Sequence, residues 1–104
     1  MDSVQRRVLG LDDTVHQKTR LAVLAMLSES DEVSFVFLRD GLGLTDGNLG
    51  RHLDILLGAQ CIDVRREYKG RRTRSWIRIT ELGSRMLRDE AEVLRALLHA
   101  LDRR

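Results

Sequence analysis

The stretch Ser34–Gln60, SFVFLRDGLGLTDGNLGRHLDILLGAQ, decides how this chain folds. Ser34 is a helix-capping residue type, and Phe35, Leu38 and Leu42 follow it at i, i+3 and i+7, the spacing of one buried helical face. Gly43 suits a left-handed stop, and Thr45 is a second cap. A second helix is predicted from Thr45 to about Leu57, with Gly58 ending it. At about 100° per residue, Leu49, Leu53, Leu56 and Leu57 gather on the side that faces a core. Gly47, Asn48, Arg51, Asp54 and Ile55 take the opposite side. Two short helices joined by a tight turn, the second with a polar outer face, are therefore expected.

The residues that follow, Cys61–Thr80, read CIDVRREYKGRRTRSWIRIT and alternate as a β-hairpin. Ile62 and Val64 on the first arm and Ile77 and Ile79 on the second are expected to face the core, with Gly70 at the turn. Between Cys61 and Thr80 lie seven basic residues, Arg65, Arg66, Lys69, Arg71, Arg72, Arg74 and Arg78, against Asp63 and Glu67 alone. A sign so uniform fits a charge run kept for solubility poorly. Upstream, Glu32 and Val33 read as a stub of strand, and Thr14–Ser28 as a helix with Leu21, Leu24, Ala25 and Ser28 on one face. Val4, Val8, Leu11 and Val15 make residues 1–12 an N-terminal arm or short helix, interrupted at Gly10.

Thr80 caps a last helix, Glu81 to about Leu101, in which Leu87, Ala91, Leu94, Leu98 and Leu101 recur at heptad-like spacing. That seam either packs on the first helix or forms a dimer interface. Its breadth exceeds what so small a domain can cover, which favours the dimer. The expected class is mainly α with a small β-hairpin: a winged helix-turn-helix over residues 13–80, with a dimerisation helix over 81–104.

Composition narrows the functions available. A chain of 104 residues, 42% hydrophobic and 33% charged, reads as one globular domain. Net charge is only +2, so the positive field is local to the hairpin. Four aromatic residues, Phe35, Phe37, Tyr68 and Trp76, are too few for a platform that stacks single-stranded bases. A single cysteine, Cys61, allows neither an intramolecular disulfide nor a cysteine-cluster zinc site. It reads as a small buried hydrophobe, although Arg65 and Arg66 nearby leave a redox-sensing thiolate open. The longest apolar run, Leu21–Leu27, is too short for a membrane span, and the polar start shows no secretion signal, so the cytoplasm is the expected location. No phosphate loop, nucleophile elbow or paired histidines appear. No catalytic residue, metal or cofactor is therefore expected.

The segments LGLTDGNLGRHLDILLGAQCI and ITELG, joined by the basic hairpin, resemble the bacterial winged-helix regulators of the MarR/ArsR type, most closely a compact MarR-like group. The resemblance runs from about Leu11 to Leu101. It implies a transcriptional regulator, often a repressor, acting as a homodimer through its first and last helices. It supplies no ligand, and a small-molecule effector stays unidentified. The cysteine clusters of ArsR-type metal sensors have no counterpart here, and His99 with Asp102 forms at best half of a last-helix site.

On this reading the partner is double-stranded DNA. Arg51 suits the O6/N7 edge of guanine and Asn48 the N6/N7 edge of adenine. Thr45 and the free amides of the first turn suit a phosphate oxygen, and Gly47 allows close backbone approach. Lys69, Arg71, Arg72 and Arg74 at the hairpin tip would enter a minor groove or straddle phosphates. His52 lies between the two sides of the wheel, able to reach a phosphate or to pack at the edge of the core. A protein-interaction module, its hairpin binding an acidic partner, is the alternative reading, because fold alone does not fix function.

Overall fold

A computed structural model describes residues 3–103. Met1, Asp2 and Arg104, the outermost residues of the expected arm and last helix, lie outside them. The chain forms α1 (Val4–Leu9), α2 (Lys18–Leu27), β1 (Val33–Ser34), α3 (Phe35–Leu42), α4 (Asp46–Gly58), β2 (Ile62–Lys69), β3 (Arg72–Ile79) and α5 (Glu81–Asp102). The winged helix-turn-helix expected from sequence is the architecture found.

Local chemistry sets most of the boundaries. The Ser34 hydroxyl accepts from the Phe37 amide, Thr45 from Asn48, and Thr80 from Gly83, each satisfying a free donor of the first turn. Gly43 ends α3 in the left-handed region at φ 64°. The start of α2 differs from expectation. Asp12 instead closes a turn, its carboxylate accepting from the Thr14 amide and its carbonyl from those of Val15 and His16. The Gln17 side chain then caps α2 through the Arg20 amide, so the helix begins four residues after Thr14. The end of α4 differs as well. Gly58 stays helical, and the left-handed residue is Gln60, at φ 63°. An L side chain held there costs about 1 kcal/mol.

One core unites these pieces. Val23, Leu24 and Leu27 of α2 meet Leu38 of α3, Leu49, Leu53 and Leu56 of α4, and Ile62 and Ile77 of the hairpin, all buried, with Val15, Val33 and Cys61. Ala25 and Ser28, expected on the inner face of the first long helix, are exposed, because Val23 and Leu27 take the inward positions beside Leu24. Leu57 is 45% exposed, since Leu49, Leu53 and Leu56 already fill the contact with α2 and the sheet. Val64 and Ile79 are half-buried at the core's margin.

The sheet has order β1-β3-β2, all antiparallel, with Val33 opposite Ile77 and Ile62 opposite Ile79. The hairpin continues past the core, to Lys69 opposite Arg72 around Gly70 at φ 61°. The molecule measures 59 × 24 × 22 Å along its principal axes. Arg65 fastens the hairpin base, its Nε and Nη2 reaching the two Glu32 oxygens at 3.1 and 2.9 Å. That contact holds the Glu32 carboxyl below the usual carboxylate range.

Where α4, the hairpin and α5 converge, Thr80 donates its hydroxyl proton to the Gln60 carbonyl at 2.7 Å, and its amide reaches the Cys61 carbonyl at 2.9 Å. Gly83 lies directly against this crossing. A methyl added there would stand 2.2 Å from the Cys61 carbonyl oxygen, a backbone atom with no freedom to retreat. Gly83→Ala is therefore expected to lower stability by about 2 kcal/mol or more despite alanine's better helix propensity, measurable as a fall in the urea midpoint at unchanged slope.

Candidate nucleic-acid interface

Burial of three leucines fixes which side of α4 looks outward. Gly47, Arg51, Asp54 and Ile55 are exposed, and Asn48 is half-buried with its Oδ1 covered and without a hydrogen-bond partner among the described residues. A Cβ at Gly47 or Gly50 would meet nothing within 4 Å. Packing against α3 therefore does not explain Gly50. Both glycines leave α4 open on its outer side at a cost of roughly 1 kcal/mol each in helix propensity. Ile55 is joined by Leu57 as an exposed apolar side chain of this helix.

The first turn of α4 presents the Thr45 cap and free amides, the positive end of a helix dipole. Asp46 would oppose an anion there. Arg39 of α3 pairs with it at 2.8 Å and with Asp40 at 2.9 Å, offsetting the negative charge and tying the two helices together. Exposed pairs of this kind add little stability, so the effect falls on the local field.

Hairpin charges divide into two sets. Arg65 pairs with Glu32 and Glu67, and Arg78 with Asp63, near the base. Arg66, Lys69, Arg71, Arg72 and Arg74 are exposed and form no ion pair among the described residues. Trp76 lies on the sheet face opposite Ile77. Arg65 and Arg74 stand over its ring at 5.9 and 6.0 Å, so its ring supports cationic side chains.

Helix and hairpin share one surface. Gly50, Asp54 and Leu57 of α4 and Arg66, Ser75 and Ile77 of the hairpin line a cleft of about 510 Å³. Nearer the tip, Phe35 and Val36 at the start of α3 line a hollow of about 590 Å³ with Lys69, Arg72 and Arg74. The cleft reaches α4 at Gly50, Leu53, Asp54 and Leu57, and the hollow beside Lys69, Arg72 and Arg74 is closed by the start of α3.

His52 stands apart from this surface. It is 7% exposed, and its Nδ1 accepts from Arg20 Nη1 at 3.3 Å. Of the two positions open to it in sequence, the structure gives the core edge. Arg20, which sequence reasoning did not single out, also donates to the Thr14 carbonyl at 2.7 Å and the Asp13 carbonyl at 3.1 Å. Burial first, then the charges of Arg20 and Arg51, hold the His52 pKa below its ordinary 6.5. Cys61 is buried beside Met86, and burial pushes its thiol pKa up, the reverse of what a reactive thiolate requires. Among the described residues, no three His, Cys, Asp or Glu side chains converge as a metal site, and no helix is long and apolar enough to cross a membrane.

The lowered His52 pKa has a definite sign. The folded state prefers the neutral ring, so its contribution is complete above pH 6.5 and is lost as pH falls toward the depressed value. Denaturant midpoints should therefore drop between about pH 7.5 and 5.5, and His52→Gln, which cannot titrate, should flatten that drop.

A family model for the winged helix DNA-binding domain matches residues 19–98. No curated protein matches the chain. Among solved structures, a transcriptional regulator homologue from Pyrococcus horikoshii OT3 superposes with a TM-score of 0.86 at 21% identity, covering 95% of this chain and 97% of that one. The putative transcriptional regulator ytfH from Salmonella typhimurium gives 0.71 at 19% identity, over 95% and 85%. The M. tuberculosis transcriptional regulator MOSR, in complex with DNA, gives 0.71 at 20% identity, over 93% and 69%. At these identities the likeness is one of fold. The family match runs from α2 through the hairpin and most of α5, and on it the chain belongs to the winged helix DNA-binding domain family.

Proposed function

We propose that this chain is a transcriptional regulator that binds duplex DNA in sequence-specific fashion as a homodimer, in the manner of a repressor. The observation that carries the reading is that one domain presents both the outward polar face of α4 and a hairpin tip whose cations form no ion pair among the described residues. Arg51 and Asn48 read base edges in the major groove, Thr45 and the amides beside Gly47 take a phosphate, and Lys69, Arg71, Arg72 and Arg74 anchor the flanking backbone or minor groove. His52, engaged by Arg20, is assigned to orienting α4 and not to DNA. That the regulator homologue and MOSR share this fold supports the regulatory reading. The cytoplasm is the location that goes with it.

The dimer rests on α5. Its 22 residues span about 33 Å, yet only Gly83 and Glu90 are buried. Leu87, Ala91 and Leu94 are half-covered, and Leu98 and Leu101 are 61% and 52% exposed. Exposed Leu9 on α1 adds to the uncovered apolar surface, and α1 packs against α5. A two-fold partner presenting the same seam would cover it and set two α4 helices about 34–36 Å apart, one DNA turn.

Arg51→Ala is expected to erase the preferred site's advantage over random duplex, whereas Arg72→Ala weakens all duplexes alike. The latter should also reduce the slope of log K against log salt by about 0.9 per lost phosphate contact. Titrations of both sequences at several salt concentrations separate the two effects, and an unchanged site preference in Arg51→Ala would remove α4 from the reading role. Leu98→Glu should convert the sedimenting species from dimer to monomer and weaken operator binding. A wild-type monomer at micromolar concentration would exclude the dimer.

A further inference from the structure

We propose that the outer edge of β3, from Arg72 to Ser75, is a docking site for an extended, acidic segment of a partner protein, which joins the sheet as a further strand. The first observation is an edge left open by the topology. β3 pairs with β2 along its whole length, but with β1 only at Ile77 and Trp76. β1 stops there because Ser34 caps α3 and the chain turns out of the sheet. The Thr80 amide donates to the Cys61 carbonyl, which sets the phase of the hairpin ladder. By alternation, Arg72, Arg74 and Trp76 turn their amides and carbonyls toward β2, whereas Thr73, Ser75 and Ile77 turn theirs the other way. Ile77 meets Val33. Among the described residues, no strand lies beside Thr73 and Ser75. The open stretch is about 13 Å long at about 3.3 Å per residue.

The second observation is the ground beside that edge, the hollow of about 590 Å³. Arg72 and Arg74 belong to one face of β3 and Thr73 and Ser75 to the other, so a hollow lined by all four lies across the edge. Phe35 and Val36 form its apolar wall, and Val36 is 50% exposed. Lys69, Arg72 and Arg74 supply positive charge and form no ion pair among the described residues. Glu67, also on this wall, is engaged by Arg65 at 3.6 Å.

Together these features select the occupant. A bare edge invites other strands, a second copy of this chain among them. Two copies pairing edge to edge would set Arg72 and Arg74 against the same residues, and like charges placed opposite are destabilising. A strand with acidic side chains on one face gains from those cations, and apolar side chains on its other face cover Phe35 and Val36. Duplex DNA matches the charge but gives no donors to the Thr73 and Ser75 carbonyls and no cover to the apolar wall. Because Lys69, Arg72 and Arg74 are also assigned to flanking DNA, an occupied edge competes with DNA. This consequence rests on the DNA-binding reading; the docking does not.

The test titrates the full chain, without DNA, with a fluorescein-labelled heptapeptide of alternating glutamate and valine at about 150 mM salt, followed by anisotropy and amide hydrogen exchange. Saturable binding is expected, with slowed exchange at the Thr73 and Ser75 amides. Residues directly opposite share a face, so the peptide's valines fall opposite Thr73 and Ser75 and its glutamates opposite Arg72 and Arg74. N-methylating the valines should therefore weaken binding about tenfold or more, and N-methylating the glutamates far less. Val36→Ser should weaken the peptide about threefold and leave duplex affinity unchanged. No saturation, equal binding of a lysine–valine counterpart, or equal affinity of the two N-methylated peptides would overturn the site. Protection of those amides by rising protein concentration alone would assign the edge to a second copy, and protection by duplex DNA alone to nucleic acid; either overturns the proposal. Peptide binding that leaves duplex affinity unchanged would overturn the competition alone. A chain that binds no duplex would strike the functional reading while leaving the site.

Discussion

The structure depends on burying one side of α4. Leu49, Leu53 and Leu56 are drawn beneath Val23, Leu24 and Leu27 of α2 and against Ile62 and Ile77 of the sheet. Removing such a surface from water stabilises by roughly 25 cal/mol per Å². Once those leucines are committed, every remaining side chain of α4 has its direction assigned. The polar face is outward as a consequence of the core and requires no contact of its own.

The same burial makes the hairpin a lever. Ile62 and Ile77 hold its base in the core, the Arg65–Glu32 pair fastens the side, and everything beyond Arg66 projects past the hydrophobic interior. Thr80, bonded to both Gln60 and Cys61, closes the hairpin's two ends and starts α5 from the same point. Three elements with different tasks therefore issue from one crossing, and Gly83 is the residue that lets α5 pass there.

Much of this was legible in sequence because it is encoded locally. Ser34, Thr45 and Thr80 announce helix starts, Gly43 and Gly70 announce reversals, and the leucine spacing of α4 and α5 announces faces. What escaped reading depends on contacts distant along the chain. Gln60 adopts a left-handed backbone without being glycine, because Thr80 grips its carbonyl from twenty residues away. Leu57 carries the same apolar signal as Leu56 but lies outside the area that α2 and the sheet can cover. Arg20 and Glu90 carry no local signal that sets them apart; only folding brings them to His52 and His16. Of the candidate surface, Asn48 and Arg51 were legible because their periodicity opposes that of the core, and the hairpin cations because one sign of charge dominates the run. His52 was not, because it sits where the two periods meet.

The outer hairpin, from Tyr68 around Gly70 to Arg74, carries no share of the core. Its composition is therefore insulated from the requirement to fold, and a change there alters what the protein grips without altering whether it stands. A lineage can exchange Lys69, Arg71 or Arg72 one at a time and remain folded at every step. The scaffold's identity and the identity of its targets are free to diverge at different rates.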